Sequence, residues 1–399
     1  MKTLVINSGS SSLKFQLFQM PEEVLLCKGL VDRIGQKDAQ LSFKNLRDEK
    51  SLNQELEIQN HDFALKQVIK LIEDKQLGVI ANTSEIQLIG HRLVHGGTHF
   101  SEPIILTDEV LEKIDEVSTL APLHNPHNLK GVKVTQTLFP KATQVGVFDT
   151  AFHQSIPEKA YRYAIPKKMA DENGIRVYGF HGTSHEFITH QTSDFLKKPL
   201  NQTSLISLHL GNGCSMVAVK NGKCIDTSMG FSPLDGLVMG SRSGDLDPTI
   251  LLFLQRELKM SLEEVDHLLN KKSGLIGLCG TNDLREIISL EKDGNQDAKL
   301  ALEIYCYRIK KYIGAFLAVL GEVDAIVFTA GVGENAAIIR EKSLEGLEHL
   351  GIKVDSEKNQ QANGEENSFH SEESKISLLV IPTNEELAIA KASYEILKK

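Results

Sequence analysis

The stretch Thr3-Leu4-Val5-Ile6-Asn7-Ser8-Gly9-Ser10-Ser11-Ser12-Leu13-Lys14-Phe15-Gln16-Leu17-Phe18 decides the reading of the fold. Apolar runs flank a hydroxyl-rich turn with one glycine, which predicts two strands joined by a short loop that exits on a lysine. Small residues let backbone N–H groups approach an anion, the Ser10 and Ser12 hydroxyls add donors, and Lys14 adds a point charge. The loop is not a P-loop, which needs glycine directly before the lysine, Ser or Thr after it, and then a helix. Leu13 and Phe15 occupy those places, and a strand follows. A Ser/Gly turn is also an ordinary chain reversal, so phosphate binding and a plain hairpin both fit these residues alone.

The same pattern recurs near residue 204. Strand Ser204–Leu210, turn Gly211-Asn212-Gly213 and strand Cys214–Lys220 are followed by an Asn221-Gly222 hairpin into Lys223–Thr227, as Pro21-Glu22-Glu23 leads from the first pair into Val24–Val31. The apolar run Ile86–Ile89 before His91–Gly97 corresponds in turn to Ala325–Phe328 before Thr329–Asn335. The chain therefore reads as two related α/β lobes, with a nucleotide expected between glycine turns. The expected boundaries are 1–150, completed by a helix over 385–399, and 151–384. Helical periodicity marks Phe63–Glu73, Asp108–Leu120, Pro248–Lys259, Leu262–Leu269, Lys299–Leu320 and Glu385–Leu397, the last preceded by Thr383-Asn384 as N-cap candidates. Asp355–Lys375 is polar and reads as a surface excursion without chemistry.

A length of 399 residues fits about two or three domains. The net charge of -9 excludes a general nucleic-acid or anionic-membrane binder, so an anionic ligand must be held by local donors. The five cysteines are dispersed, without a C-x-x-C pair, and read as reduced buried thiols. The N-terminus lacks the pattern of a signal peptide, and Ile313–Leu320 falls short of the roughly 18 apolar residues of a membrane span, so a cytoplasmic protein is expected.

His91 and His95 stand four apart, but Arg92 follows the first where a zincin needs glutamate. Arg92, poised to grip a carboxylate or phosphate through its planar fork, is the stronger reading. Asp149 ends the probable central strand before Thr150, where a carboxylate serves either function or an N-cap. Gly179–His185 offers His181 as a donor near pH 7, with a capping or core histidine as the alternative. Gly236–Pro248 sets Arg242 among small residues, facing a ligand or pinning its loop by an ion pair. Asn7, Glu385 and Asp149 are oxygen donors suited to Mg2+. No Gly-x-Ser-x-Gly elbow is present.

Together, Asn7–Lys14, His91–Gly97, Ala121–Pro126, Phe148–His153, Phe180–His185, His209–Gly213, Asp226–Pro248, Phe328–Asn335 and Ile381–Glu386 resemble the acetate kinase family over essentially the whole chain. Departures are Ser8 where cysteine is also common, Cys214 where alanine is usual, and Leu284 where methionine often stands. The resemblance implies duplicated ribonuclease H-like α/β lobes of the sugar kinase, actin and heat-shock chaperone superfamily, and a homodimer. It implies reversible transfer between ATP and acetate, giving acetyl phosphate and ADP, with Mg2+ or Mn2+ in its place. By matching motif, Asn7 and Glu385 serve the metal. Lys14, Ser10, Ser12, His209, Leu210, Gly211, Asn212, Gly213, Asp283, Leu284, Arg285, Gly331, Val332, Gly333, Glu334 and Asn335 serve ATP. Arg92 binds the carboxyl substrate, Val94, Leu123, Phe180 and Pro233 wall its methyl pocket, and Asp149, His181 and Arg242 are catalytic. Asp149 is read as an organiser of magnesium, water or Arg92, because a carboxylate substrate is already ionised at pH 7. The rival within enzymes is a kinase for propionate or another short-chain acid. An actin-like or chaperone-type ATPase is the rival of another class, with no reason to gather Arg92, His181 and Arg242.

Overall fold

The computed structural model describes residues 1–9, 11–122 and 124–398, so the expectations for Ser10 and Leu123 lie outside the described residues. By its contacts the chain divides into a first unit, Met1–Ala151 with Asn384–Lys399, and a second unit, Phe152–Thr383.

In the first unit the opening stretch forms β1 (Lys2–Ser8) and β2 (Leu13–Gln19), paired antiparallel so that Asn7 faces Lys14. β3 (Val24–Asp32), β4 (Ala39–Asn45) and β5 (Ser51–Leu56) extend the meander outward. On the other side β6 (Ile86–Leu93) lies parallel to β1, β8 (Thr143–Phe148) parallel to β6, and β7 (Ile104–Ile105) closes the edge. Alternation along the strands aims Leu4, Ile6, Leu13, Phe15 and Leu17 at one face, where the helix His61–Ile72 lays Ala64, Leu65, Val68 and Ile72. The helix Glu385–Ile396 covers the opposite face through Ile389 and Ala390 against Val5, Phe18 and Val147. It approaches so closely that a Cβ at Gly90 would come within 2.6 Å of Ser393 Oγ and 2.7 Å of Ile389 Cγ2.

In the second unit β9 (Leu205–Leu210), β10 (Cys214–Lys220) and β11 (Lys223–Thr227) form an antiparallel meander, turned by Asn221 and Gly222 in left-handed backbone. β12 (Ala325–Thr329) runs parallel to β9, β14 (Ser377–Val380) runs parallel to β12, and β13 (Asn367–Ser368) caps the edge. The order β3-β2-β1-β6-β8 thus repeats as β11-β10-β9-β12-β14 with the same pairing directions, so the duplication extends to all five strands. Helices Gly182–Phe195 and Gln296–Leu320 pack on this sheet.

Two expectations change. Arg92, placed by the sequence in the stretch His91–Gly97 that follows the apolar run Ile86–Ile89, lies within β6 opposite Val147 of β8, because the strand runs through to Leu93. Asp355–Lys375 is no bare excursion: it carries a helix, Ser356–Gln361, places Asn359 in the interior and buries Phe369 at its far end. Among the described residues no helix is long and apolar enough to cross a membrane.

Candidate active site

In the first unit the functional side chains stand at the carboxyl ends of the parallel strands. Arg92 is the penultimate residue of β6, Asp149 follows β8, and Glu385 opens the last helix, whose N-cap Asn384 accepts from Leu387 N at 3.1 Å. Arg92 Nε donates to Asp149 Oδ1 at 3.0 Å and Nη2 donates to Oδ2 at 2.6 Å, a two-point grip on a buried carboxylate. Glu385 lies 3.9 Å from Nη1. Burial opposes the guanidinium charge, but the Asp149, Glu385 and Glu386 carboxylates outweigh it and hold Arg92 protonated above the ordinary arginine range.

Two amides of the helix Asn125–Leu138 frame this corner. Asn128 donates to the Ser8 carbonyl at 2.7 Å and accepts the Val94 N–H at 3.1 Å, which ties the end of β1 to the residue after β6. Asn125 accepts from His95 N and donates to His95 O. His91 Nε2 donates to Gln144 Oε1 at 2.6 Å, and His95 Nδ1 accepts from Gly97 N, so each ring is occupied separately. In the opening loop Gly9 N donates to Ser12 O, and His61 Nε2 donates to Gly9 O at 2.7 Å. Lys14 lies inside β2 with its ammonium 2.8 Å from Glu386, a buried carboxylate that sequence reasoning missed although it follows Glu385 directly.

In the second unit His181 precedes the helix Gly182–Phe195 in left-handed backbone, φ 56°, a conformation that costs a non-glycine residue about 1–3 kcal/mol and clusters at functional sites. His153 Nε2 donates to the Phe180 carbonyl at 2.9 Å and so holds the residue before it. The His181 ring stacks on His209, with centroids 4.3 Å apart. A Cβ at Gly213 would meet Arg242 Nη1 at 3.4 Å and His181 Nε2 at 3.7 Å, so the guanidinium and the imidazole both rest against this glycine of the β9–β10 turn. Arg242 Nη1 donates to the Pro233 carbonyl at 3.1 Å, and burial pulls the guanidinium below its ordinary value.

The same turn borders a cavity of about 1070 Å³, at the upper end of the usual range for small-molecule sites. Its lining brings together Gly211, Asn212, Asp283, Leu284, Arg285, Gly331, Val332 and Asn335 of the expected nucleotide residues. A Cβ at Gly240 beside it would collide with Asn212 Oδ1 and push that amide aside. Asp283 caps its helix by accepting from Arg285 N at 2.9 Å; the Arg285 side chain, also bound to it, holds its carboxyl down at about 2. His209, Leu210, Gly213, Gly333 and Glu334 are not among the lining residues. Leu210 is buried in β9, and Glu334 accepts the Thr383 N–H. Lys14 and Ser12 belong to the first unit.

A family model described as the acetokinase family matches residues 2–391. The chain belongs to the acetokinase family. It is 50% identical over 401 residues to the acetate kinase of Oleidesulfovibrio alaskensis and 51% identical over 400 residues to that of Clostridium botulinum, with all of each chain covered. Among solved structures, acetate kinase of Porphyromonas gingivalis superposes with a TM-score of 0.94 at 44% identity, and a propionate kinase from Francisella tularensis with 0.93 at 41%, each over 99% of both chains. The acetokinase fold is therefore that of the duplicated α/β lobes read from the strand repeat.

Arg340 gave no local signal in this family member. It is wholly buried, and its donors reach the Gly333 and Glu334 carbonyls at 2.9 and 3.0 Å, Asn359 Oδ1 at 2.7 Å, and the Asn359 and Ala362 carbonyls at 2.7 Å. It thereby ties the helix Ala330–Asn335 to the polar segment beyond Asp355, from which Gln360, Ala362 and Asn363 also line the cavity. Burial lowers its guanidinium to about 10. A partner twenty residues away in a segment without periodicity cannot be read from spacing.

Proposed function

We propose that the chain transfers the γ-phosphoryl group of ATP to acetate, reversibly and in one in-line displacement. One acetate oxygen forms the new bond to phosphorus while the bond to the bridging oxygen of ADP breaks, and acetyl phosphate and ADP leave. The observation that carries this reading is the convergence of His181 and Arg242 on Gly213, next to the cavity lined by Gly211 and Asn212. The loose transition state spreads charge over three equatorial oxygens, and fixed donors there are worth more than any general base. An ATPase that only changes shape has no need of them.

In this reading Arg92 binds the acetate carboxylate, and Asp149 fixes the plane of its guanidinium. Val94, whose N–H is held by Asn128, walls the substrate methyl group. ATP occupies the cavity of the second unit. Asn7, through its amide oxygen, and Glu385, through its carboxylate, would hold Mg2+ in the first unit, hard oxygen donors of the kind this ion takes alongside water and phosphate. When bound, Mg2+ neutralises phosphate charge. The propionate kinase of F. tularensis shares the fold, so acid length is set by the pocket wall and not by architecture. The working assembly is a homodimer. The helix Pro248–Arg256 supports it, having no buried residue and presenting Ile250, Leu251, Leu252 and Phe253 to solvent.

The test is incubation with ATP, Mg2+, acetate and hydroxylamine. Hydroxamate must appear in equal amount to ADP, whereas ADP without hydroxamate overturns the assignment. Light scattering of the wild type and of Phe253→Glu measures the assembly. A wild-type mass equal to one chain overturns the dimer.

A further inference from the structure

Behind the His181 ring runs a line of buried hydroxyls and a second imidazole. Ser215 Oγ lies 2.9 Å from His181 Nδ1 and 2.7 Å from His185 Nε2, and His185 Nδ1 lies 2.9 Å from Ser207 Oγ. Ser207, His185 and Ser215 are fully buried. The placement follows from the fold: Ser207 and His209 alternate onto one face of β9, Ser215 of β10 is paired opposite His209, and His185 stands one helical turn after His181.

A serine hydroxyl has a single proton, so Ser215 can donate to only one of the two imidazole nitrogens beside it. The other nitrogen must be the donor. Burial among His153 and His209 holds His185 neutral, with one N–H to place. With the Ser215 proton spent on one of these two rings and the His181 ring neutral, two orders remain. In one, His185 Nε2–H donates to Ser215, Ser215 donates to His181 Nδ1, and the His181 proton sits on Nε2, with Ser207 donating to His185 Nδ1. In the other every bond is reversed and His181 Nε2 carries no proton. The Nε2 edge is the one that meets Gly213 beside Arg242, where a phosphoryl oxygen needs donors.

We propose that Ser215 and His185 are positioning residues that lock His181 in the tautomer with its proton on Nε2, making its neutral ring a fixed hydrogen-bond donor. This rests on the reading of His181 as a transition-state donor. The energetic logic is that of a third group orienting a catalytic histidine, here through a hydroxyl and a second ring in place of a carboxylate.

The experiment combines nitrogen NMR of the His181 ring in the intact protein with steady-state kinetics of Ser215→Ala, His185→Gln and His185→Met. The wild-type spectrum must show the proton on Nε2, and Ser215→Ala must show both tautomers. Loss of one neutral orienting bond predicts a fall in kcat of about 10-fold, with KM for ATP and acetate nearly unchanged. His185→Gln, whose amide N–H can stand in for Nε2–H, must retain more activity than His185→Met. A wild-type proton on Nδ1, an unchanged kcat in Ser215→Ala, or equal kcat values for the Gln and Met variants overturns the lock. His181→Ala separates this from the reading beneath it: unchanged kcat there removes His181 from the chemistry, while a large loss beside a normal Ser215→Ala removes only the lock.

Discussion

Asp149→Asn is the substitution that asks most of the proposed site. The carboxylate is buried and holds two edges of Arg92, through Nε at 3.0 Å and Nη2 at 2.6 Å. Asparagine keeps the shape and one acceptor, but its NH2 then faces an N–H of the guanidinium, and the charge is gone. A hydrogen bond to a charged group is worth about 1.5–3 kcal/mol, and breaking a buried pair from one side costs about 3–5 kcal/mol. Part of that cost falls on the transition state, because an unanchored Arg92 no longer presents its free edge at a fixed angle. The expected fall in kcat is about 10²- to 10³-fold, equivalent to about 2.7–4 kcal/mol. Two assays decide the mechanism. Between pH 6 and 9 acetate is already ionised, as carboxyl groups titrate near 4, so the loss must stay constant if Asp149 organises Arg92. In an Arg92→Ala background the same change must cost under about 10-fold, because the coupling has been removed. Recovery as pH rises, or a full-sized loss in that background, refutes the reasoning.

Arg92→Lys keeps the charge but not the two parallel bonds to Asp149, and kcat/KM for acetate should fall by at least about 100-fold; a near-normal value excludes the bidentate role. Arg242→Ala should lower kcat by about 10²- to 10³-fold with little change in Tm, since the side chain surrenders a backbone hydrogen bond to the Pro233 carbonyl; normal turnover removes it from the transition state. Val94→Ala should raise the propionate-to-acetate ratio of kcat/KM by about 10-fold, because a methylene in an apolar pocket is worth about 1–3 kcal/mol, and an unchanged ratio takes Val94 out of the wall. Burial, then its hydrogen bond with Asp245, lifts the Asp235 carboxyl to about 6. A carboxyl raised on folding binds an extra proton in the native state, so its contribution to stability declines as pH rises from about 4 through 6. Asp235→Asn should therefore gain in Tm relative to wild type between pH 4.5 and 7.5, and a constant difference refutes the shift.

The duplication was legible because its signals are local: apolar runs of strand length, glycine turns between them, and the Asn221-Gly222 hairpin that requires positive φ at both residues. Helix starts at Asp108, Pro248, Leu262 and Glu385 were likewise legible from helical periodicity, the last also from its cap at Asn384. What escaped was carried by long-range polar contacts. Asn128 ties two strand ends, Glu386 pairs with Lys14, and Arg340 gathers carbonyls from two segments, none with a periodicity or spacing to announce it. The segment after Asp355 misled for a related reason. Its polarity reads as solvation, yet Asn359 is polar because a buried guanidinium needs its oxygens.

The repeat also explains why such different residues occupy equivalent places. Open parallel sheets collect ligands beyond the carboxyl ends of their strands. In the first unit Asn7 and Arg92 stand near the carboxyl ends of β1 and β6 and Asp149 follows β8, and the charges of Arg92 and Asp149 compensate one another inside the unit. The equivalent strands β9, β12 and β14 end at His209, at the turn from Ala330, and near Thr383, where neutral rings, hydroxyls and backbone line up. An acid of two carbons needs one oriented guanidinium and a carboxylate to hold it. In the proposed division ATP takes the β9–β10 turn, whose Gly211 and Asn212 border the cavity, whereas the counterpart after β1 leads into a lysine already paired with Glu386. If that division is right, Lys14→Met should change KM for ATP less than Asn212→Ala does. Substrate titrations of both variants, read against a Glu386→Gln control that frees the lysine, measure the difference directly. A larger rise in KM for Lys14→Met would assign the opening loop, and not the second turn, as the principal phosphate holder.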